Sequence, residues 1–230
     1  MATDINNKFG LNWGNDGTSK EIFDEMISSI PDYCKGDELK TFTYIYVLLS
    51  KKLCYDEYAS DLADQHLGGF DREQAYDLII NPASNISCLR RGTALCGGYA
   101  KTLAALLESV GIETEIVSMK GVHSWNQVKI NGEWYNCDLT NDSDFIAEGL
   151  ACPHFLKSNV DDCNYTKRYP TTAFVNCEKS IPDDIQENLI NEALEYINQK
   201  ELEHGAQLEN KEKPSFIKKL LSVVNRKGGK

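Results

Sequence analysis

Apolar residues recur along the chain with a helical period in four places and alternate as in strands in three. Phe42, Ile45, Tyr46, Leu49 and Leu53 fall at helical spacing between residues 38 and 53, which predicts a helix with one buried face. A loop containing "LGGF" (67–70) and a short helix near 72–80 follow, with Pro82 expected to close that helix. From Cys96 the positions Tyr99, Ala100, Leu103, Ala104, Leu107 and Val110 trace a second amphipathic helix, which Gly111 should cap. Three strand-like runs come next, "ETEIVSM" (113–119), "HSWNQVKI" (123–130) and "EWYNCDLT" (133–140). Asn131-Gly132 between the last two is a two-residue hairpin signal. A further helix is predicted over about 183–202, with Ile185, Leu189, Ile190, Ala193, Leu194 and Ile197 on one side. The order helix, strand, hairpin predicts an α+β fold in which one central helix packs on an antiparallel sheet, with additional helices at both ends. We divide the chain into a flexible lead (1–18), a main domain (19–202, core 88–142), a polar linker (203–213) and a basic amphipathic tail helix (214–230).

Composition narrows the function classes. The 230 residues carry a formal charge of −11, which argues against nucleic acid as a partner because phosphate binding needs a basic face. The charge is uneven: residues 211–230 hold seven Lys or Arg against one Glu, so residues 1–210 carry −17. That tail suits docking to a partner or a membrane surface. No apolar run approaches the roughly 18 residues that span a bilayer, and "MATDINNKFGLNWGNDGTSK" lacks the basic and apolar regions of a secretory signal. A cytoplasmic location is expected, with signal-independent export as an effector left open. The eight cysteines contain no C-x-x-C pair and read as reduced thiols, most of them small core residues. "CPH" (152–154) is the closest Cys/His pair and a weak metal signal, so no metal or organic cofactor is expected. The sequons at Asn85, Asn141 and Asn164 have no consequence without secretion.

One thiol stands apart from the other seven. Cys96 opens a helix, where unpaired backbone N–H groups and the positive end of the dipole favour a thiolate. Gly97 and Gly98 beside it would leave room for a carbonyl, and the Cys96 N–H could face a developing oxyanion. By itself the stretch suits an inert core thiol better, since a small residue often opens a core helix. Nucleophilic catalysis also needs a base and a group that orients it. Counting outward from Asn131-Gly132, Ile130 faces Glu133, His123 comes about opposite Thr140, and Asp138 lies diagonally displaced by about two residues, within side-chain reach.

"LCGGYAKTLAALLESVGIETEIVS" followed by "HSWNQVKINGEWYNCDLTND" resembles the core of the transglutaminase-like superfamily, closely over residues 88–142. "LSKKLCYDEYA" (49–59) is a softer match to the segment upstream of the cysteine in bacterial members. The resemblance implies a papain-like fold with Cys96 as nucleophile, His123 as general base and acid, and Asp138 orienting the imidazole. The compact order separates the chain from papain-type proteases, whose histidine lies roughly 130–150 residues beyond the cysteine. Gly97, Gly98, Tyr99, Trp125 and Tyr55 are candidates for lining the site, and Trp125 and Trp134 also fit core packing. Relatives supply a second oxyanion donor upstream of the cysteine, for which Tyr55 and Asn85 are the candidates. Asn141 stands where many members carry tryptophan, a difference that bears on substrate shaping more than on chemistry. The expected activity is acyl transfer from an amide of a protein or peptide through a thioester, leaning towards hydrolysis rather than cross-linking. The alternative is a non-catalytic binding or scaffold module on the same fold.

Overall fold

The computed structural model describes residues 4–64, 76–119, 122–161 and 175–227, with side chains for all of these except 64, 76, 77 and 206–227. Two compact units are delimited, Met1–Asn191 and Glu192–Lys230. The first contains helices α1 (Ile5–Phe9), α2 (Thr18–Ser28), α3 (Glu38–Lys52), α4 (Glu57–Asp64), α5 (Cys96–Ser109) and α6 (Leu139–Ala147), with the start of α7 (Asp183–Lys227). Strands β3 (Thr114–Met119), β4 (His123–Ile130) and β5 (Glu133–Cys137) form an antiparallel sheet in the order β3-β4-β5. A separate parallel pair joins β1 (Cys54–Tyr55) to β2 (Thr93–Ala94). The α+β class and the helix-on-sheet core expected from the pattern are therefore observed.

Local rules account for the central elements. Helix α5 is apolar on most of its circumference, and Leu103, Ala104, Leu106 and Leu107 are buried, as befits a helix enclosed on several sides. It stops at Gly111, whose φ of 86° is reached without penalty by glycine, and the Ile112 N–H returns to the Leu107 carbonyl. Asn131 and Gly132 both take positive φ, 51° and 86°, so the β4–β5 connection is a two-residue turn whose twist matches the strands. Its register places Ile130 against Glu133 as expected. Asn126, buried in β4, donates through Nδ2 to the Ala100 carbonyl at 2.9 Å and so locks the sheet against α5. On another side, Phe42 and Tyr46 of α3 meet Phe155 with ring centroids 5.4 Å apart.

Several expectations are corrected. The lead is not loose over residues 4–17. Phe9 is buried, Lys8 pairs with Glu108 at 2.7 Å, and the Ser87 N–H donates to the Asn12 carbonyl. Its polar sequence hides two aromatic anchors, Phe9 and Trp13, the latter edge-on to Phe23. Strand β5 ends at Cys137, not at residue 140: the Asp138 side chain caps α6, and a cap captures the following residues as helix. Pro82 does not close a helix. It lies in the first turn of the helical segment Asn81–Ala83, where its missing N–H costs nothing. The "LGGF" loop and the first part of the helix near 72–80 lie outside the described residues; Tyr76–Ile80 is a π-helical turn. The backbone is helical through 203–213, where a linker was expected, because that run is polar yet rich in Glu, Lys, Gln and Leu, all good helix formers. Among the described residues no helix is long and apolar enough to cross a membrane.

The glycines after Cys96 have a packing role. A Cβ on Gly98 would strike the Ala83 carbonyl oxygen and come within 3.1 Å of the Ala94 Cβ, while one on Gly97 would lie 3.1 Å from the Ser84 carbonyl oxygen. They admit the 81–84 segment against the start of α5, which is a different use from clearing space for a substrate. Gly98→Ala should therefore lower stability by about 1–3 kcal/mol through overpacking, and Gly97→Ala by less. Urea midpoints of the two variants against wild type measure this, and equal midpoints would refute the packing role.

Candidate active site

Cys96 is the first residue of α5. Its N-cap, Leu95, is extended (φ −86°, ψ 170°) and anchored by a hydrogen bond from its N–H to the Ala83 carbonyl. Upstream, the buried Asp56 holds β2 in place: its carboxylate accepts from the Thr93 hydroxyl at 2.8 Å and from Arg91 at 3.1 Å, while its N–H donates to the Ala94 carbonyl. The thiol is partly exposed, and its backbone N–H belongs to the first helical turn, where amides have no partner within the helix. Such amides can receive an oxyanion.

The structure brings Cys96, His123 and Asp138 together. His123 opens β4 and is opposite Met119 in the β3–β4 ladder. Its Nε2 meets the Asp138 Oδ2 at 2.6 Å, short as charge-assisted bonds are. The Cys96 side chain hydrogen-bonds the same imidazole. With Nε2 engaged by Asp138, Nδ1 is the nitrogen left for the thiol. The Asp138 carboxylate is completely buried and the His123 side chain 13% exposed. Burial, the strongest single influence on the ring, disfavours its charged form. Hydrogen bonds and charges from Asp138 and Cys96 outweigh it and raise the histidine to about 10. The charged form of the ring is thus favoured across neutral pH. Trp125 stacks on the imidazole at 6.1 Å between centroids and 16° between planes.

Asp138 has two roles. Oδ1 accepts from the Asn141 N–H at 3.4 Å and caps α6, while Oδ2 serves His123. Asn141 also donates through Nδ2 to Oδ2 at 2.6 Å and lies 3.5 Å from the His123 Nε2. One turn on, the Asp142 carboxylate is buried and accepts from the Tyr46 hydroxyl at 2.8 Å and the His154 N–H at 3.0 Å. Desolvation raises Asp142 to about 7 against the opposing pull of Tyr46 and His154. Neither contact was anticipated from the sequence. The Asp138-x-x-Asn141 spacing of a helix cap was the available signal for the first, whereas the partnership of Tyr46 with Asp142 spans 96 residues.

The other candidates fall elsewhere. Tyr99 is buried and its hydroxyl donates to the Leu53 carbonyl at 3.0 Å. Trp125 is buried and stacks on the histidine. Tyr55 is exposed and opposite Ala94, two residues before the cysteine, with its hydroxyl 3.2 Å from Ser60 Oγ. Asn85 is not placed as an oxyanion donor. Its Nδ2 donates to the Gly10 carbonyl and its Oδ1 accepts from the Asn12 and Ile86 N–H groups, so it pins the N-terminal segment. Cys152 of the "CPH" run is buried, and among the described residues no group of three or more His, Cys, Asp or Glu is placed to hold a metal ion. Among the described residues, none of the seven cysteines is in a disulfide.

Residues 41–139 match the family model of the transglutaminase-like superfamily. A solved structure described as that of a TGase is 20% identical, with a TM-score of 0.40 over 54% of this chain and 31% of that one. The chain therefore spans about a third of that structure's length. No curated protein matches the chain.

Two pH effects share a sign. His123 is raised from 6.5 to about 10 and Asp142 from 3.8 to about 7, so the folded protein binds protons more tightly than the unfolded one. The stability His123 contributes is complete below pH 6.5 and is lost as pH rises through about 10; that of Asp142 is complete below 3.8 and lost through about 7. The urea midpoint should fall from pH 6.5 to 9.5, and His123→Ala should flatten that slope; an unchanged slope would contradict the raised histidine. Tyr46→Phe should cost about 1–3 kcal/mol by leaving the buried Asp142 short of a donor, which the same titration reads.

Proposed function

We propose, on the premise that residues 41–139 of this chain belong to the transglutaminase-like superfamily, that the protein is a cysteine-dependent acyl-transfer enzyme acting on amides. The observation that carries this reading is the linked contact of Cys96, His123 and Asp138, the imidazole lying between a thiol and a buried carboxylate. The Cys96 thiolate attacks the carbonyl carbon of a glutamine side chain or a peptide bond. The oxyanion that forms is received by the first-turn N–H groups of α5. His123 then gives its proton to the departing nitrogen, the C–N bond breaks, and a thioester remains on Cys96. Water, deprotonated by the now neutral imidazole, attacks the thioester and releases the acid. Asp138 retains its charge throughout and keeps Nε2 occupied, so that the proton moves at Nδ1.

Hydrolysis is preferred to transfer onto an amine because the thiol is partly exposed, which gives water access to the thioester. The substrate is a protein or peptide, and seven cysteines outside any disulfide suit a reducing compartment such as the cytoplasm. In this reading the basic stretch 214–230 sets location or partner choice and takes no part in the chemistry.

The reading can be checked without a substrate. Alkylation of each cysteine, followed by mass spectrometry between about pH 5 and 9, should show Cys96 reacting at low pH where free thiols do not. His123→Ala should remove that advantage. If Cys96 behaved like the other cysteines, the enzymatic reading would fail and a binding module would take its place. Once a substrate is found, Cys96→Ala should abolish turnover with the fold intact, and Asp138→Asn should lower kcat by about 10⁴-fold, as expected where the orienting carboxylate sets the tautomer.

A further inference from the structure

The hydrogen bonds around Asp138 assign a role to a residue that the acyl-transfer chemistry does not itself use. We propose that Asn141 is a positioning residue: its side-chain amide clamps the Asp138 carboxylate, so that Oδ2 stays in line with His123 and the imidazole presents Nδ1 to Cys96. The assignment rests on the acyl-transfer reading of the site.

Oδ2 of Asp138 accepts from two donors at 2.6 Å each, the imidazole Nε2 and the Asn141 Nδ2. The orientation of the amide follows from its neighbour. Turned over, its oxygen would lie at the same 2.6 Å from a carboxylate oxygen, acceptor against acceptor. Its 3.5 Å separation from Nε2 is a contact and not a second bond to the ring, because that nitrogen donates to Asp138. Oδ1 meanwhile accepts the Asn141 backbone N–H. Both carboxylate oxygens are therefore tied to the same residue, and rotation of the carboxylate away from the ring would break two hydrogen bonds to Asn141 as well as the one to His123.

Asn141 supplies the buried Oδ2 with a second donor beside the imidazole, and leaving a buried carboxylate oxygen short of a donor is costly. The site is wholly buried at Asp138, so water cannot supply the missing donor. The third position of a helix does not by itself favour asparagine, whose intrinsic helix propensity is poor. The clamp gives the residue a reason to be there.

The experiment uses the full chain and three variants, Asn141→Leu, Asn141→Asp and Asn141→Gln. Two quantities are read: the alkylation rate of Cys96 by iodoacetamide at pH 6, and the downfield ring N–H resonance of His123 in ¹⁵N-histidine-labelled protein. Asn141→Leu and Asn141→Asp should slow alkylation by about 10- to 100-fold, the range that loss of a hydrogen bond to a charged group supports, and should shift or broaden the resonance. Asn141→Gln, which retains an amide donor, should restore part of both. Should Asn141→Leu not fold, Asn141→Asp, nearly identical in shape, carries the same expectation. Wild-type alkylation and an unmoved resonance in a folded variant would overturn the proposal, as would a loss of stability alone with the resonance in place. His123→Ala separates this failure from that of the enzymatic reading: if it slows Cys96 while Asn141→Leu does not, the positioning role alone falls. If neither variant alters Cys96, both fall.

Discussion

The buried carboxylate of Asp138 is the constraint around which the site is built. A charge with no access to water is tolerated only when donors surround it. Here the donors come from β4 through His123 and from α6 through Asn141. The same group caps α6, so ending β5, starting the helix and orienting the histidine are one event. The chain cannot leave the sheet one residue later without taking the carboxylate away from His123. Helix capping and histidine orientation, usually separate requirements, draw on the two oxygens of one side chain.

A comparable economy holds at the cysteine. Its position depends on the 81–84 segment, which donates nothing to the chemistry. The Ala83 carbonyl accepts from Leu95 and sits where a side chain on Gly98 would be, so the start of α5 is packed against backbone with no room to shift. Asn85, next in that segment, binds Gly10 and Asn12. The N-terminal residues are thereby coupled to the turn that supports the thiol. Asn126 closes the remaining gap by tying β4, which carries the histidine, to the helix that carries the cysteine. Thiol and imidazole are held by a hydrogen bond between their own supporting elements.

The charges around the histidine decide its state. Burial alone would leave it neutral, and a neutral ring beside a thiol is a base without a proton to give. Asp138 and Cys96 reverse that, and the ring stays charged to about pH 10. The cost is a second buried carboxylate one turn away. Burial raises Asp142 to about 7, which disfavours a second ionised carboxylate in the same helical turn, while hydrogen bonds from Tyr46 and His154 pull the other way and satisfy its oxygens.

Much of this was legible in one dimension, because it rests on local rules. The helix from Cys96 to Gly111, the Asn131-Gly132 turn and the Ile130–Glu133 register follow from periodicity and turn chemistry. The ladder stops at Asn126–Cys137, so His123 does not come opposite Thr140 as counting suggested; Asp138 meets the imidazole from past the end of the strand, as the cap of α6. What lay beyond the sequence has one physical character: it depends on contacts between segments distant in the chain. Lys8 and Trp13 in a polar lead look unanchored until Glu108 and Phe23 are beside them. Gly98 looks like space for a substrate until Ala83 arrives from 15 positions upstream. Asn85 looks like an oxyanion donor until the N-terminal backbone takes up its amide. The sequence by itself determined which residues form the central helix and the hairpin, since those preferences are set within a few residues. Tertiary structure alone decided what surrounds the buried charges, since the donors to Asp142 and the packing around Cys96 come from chain segments that only folding brings near.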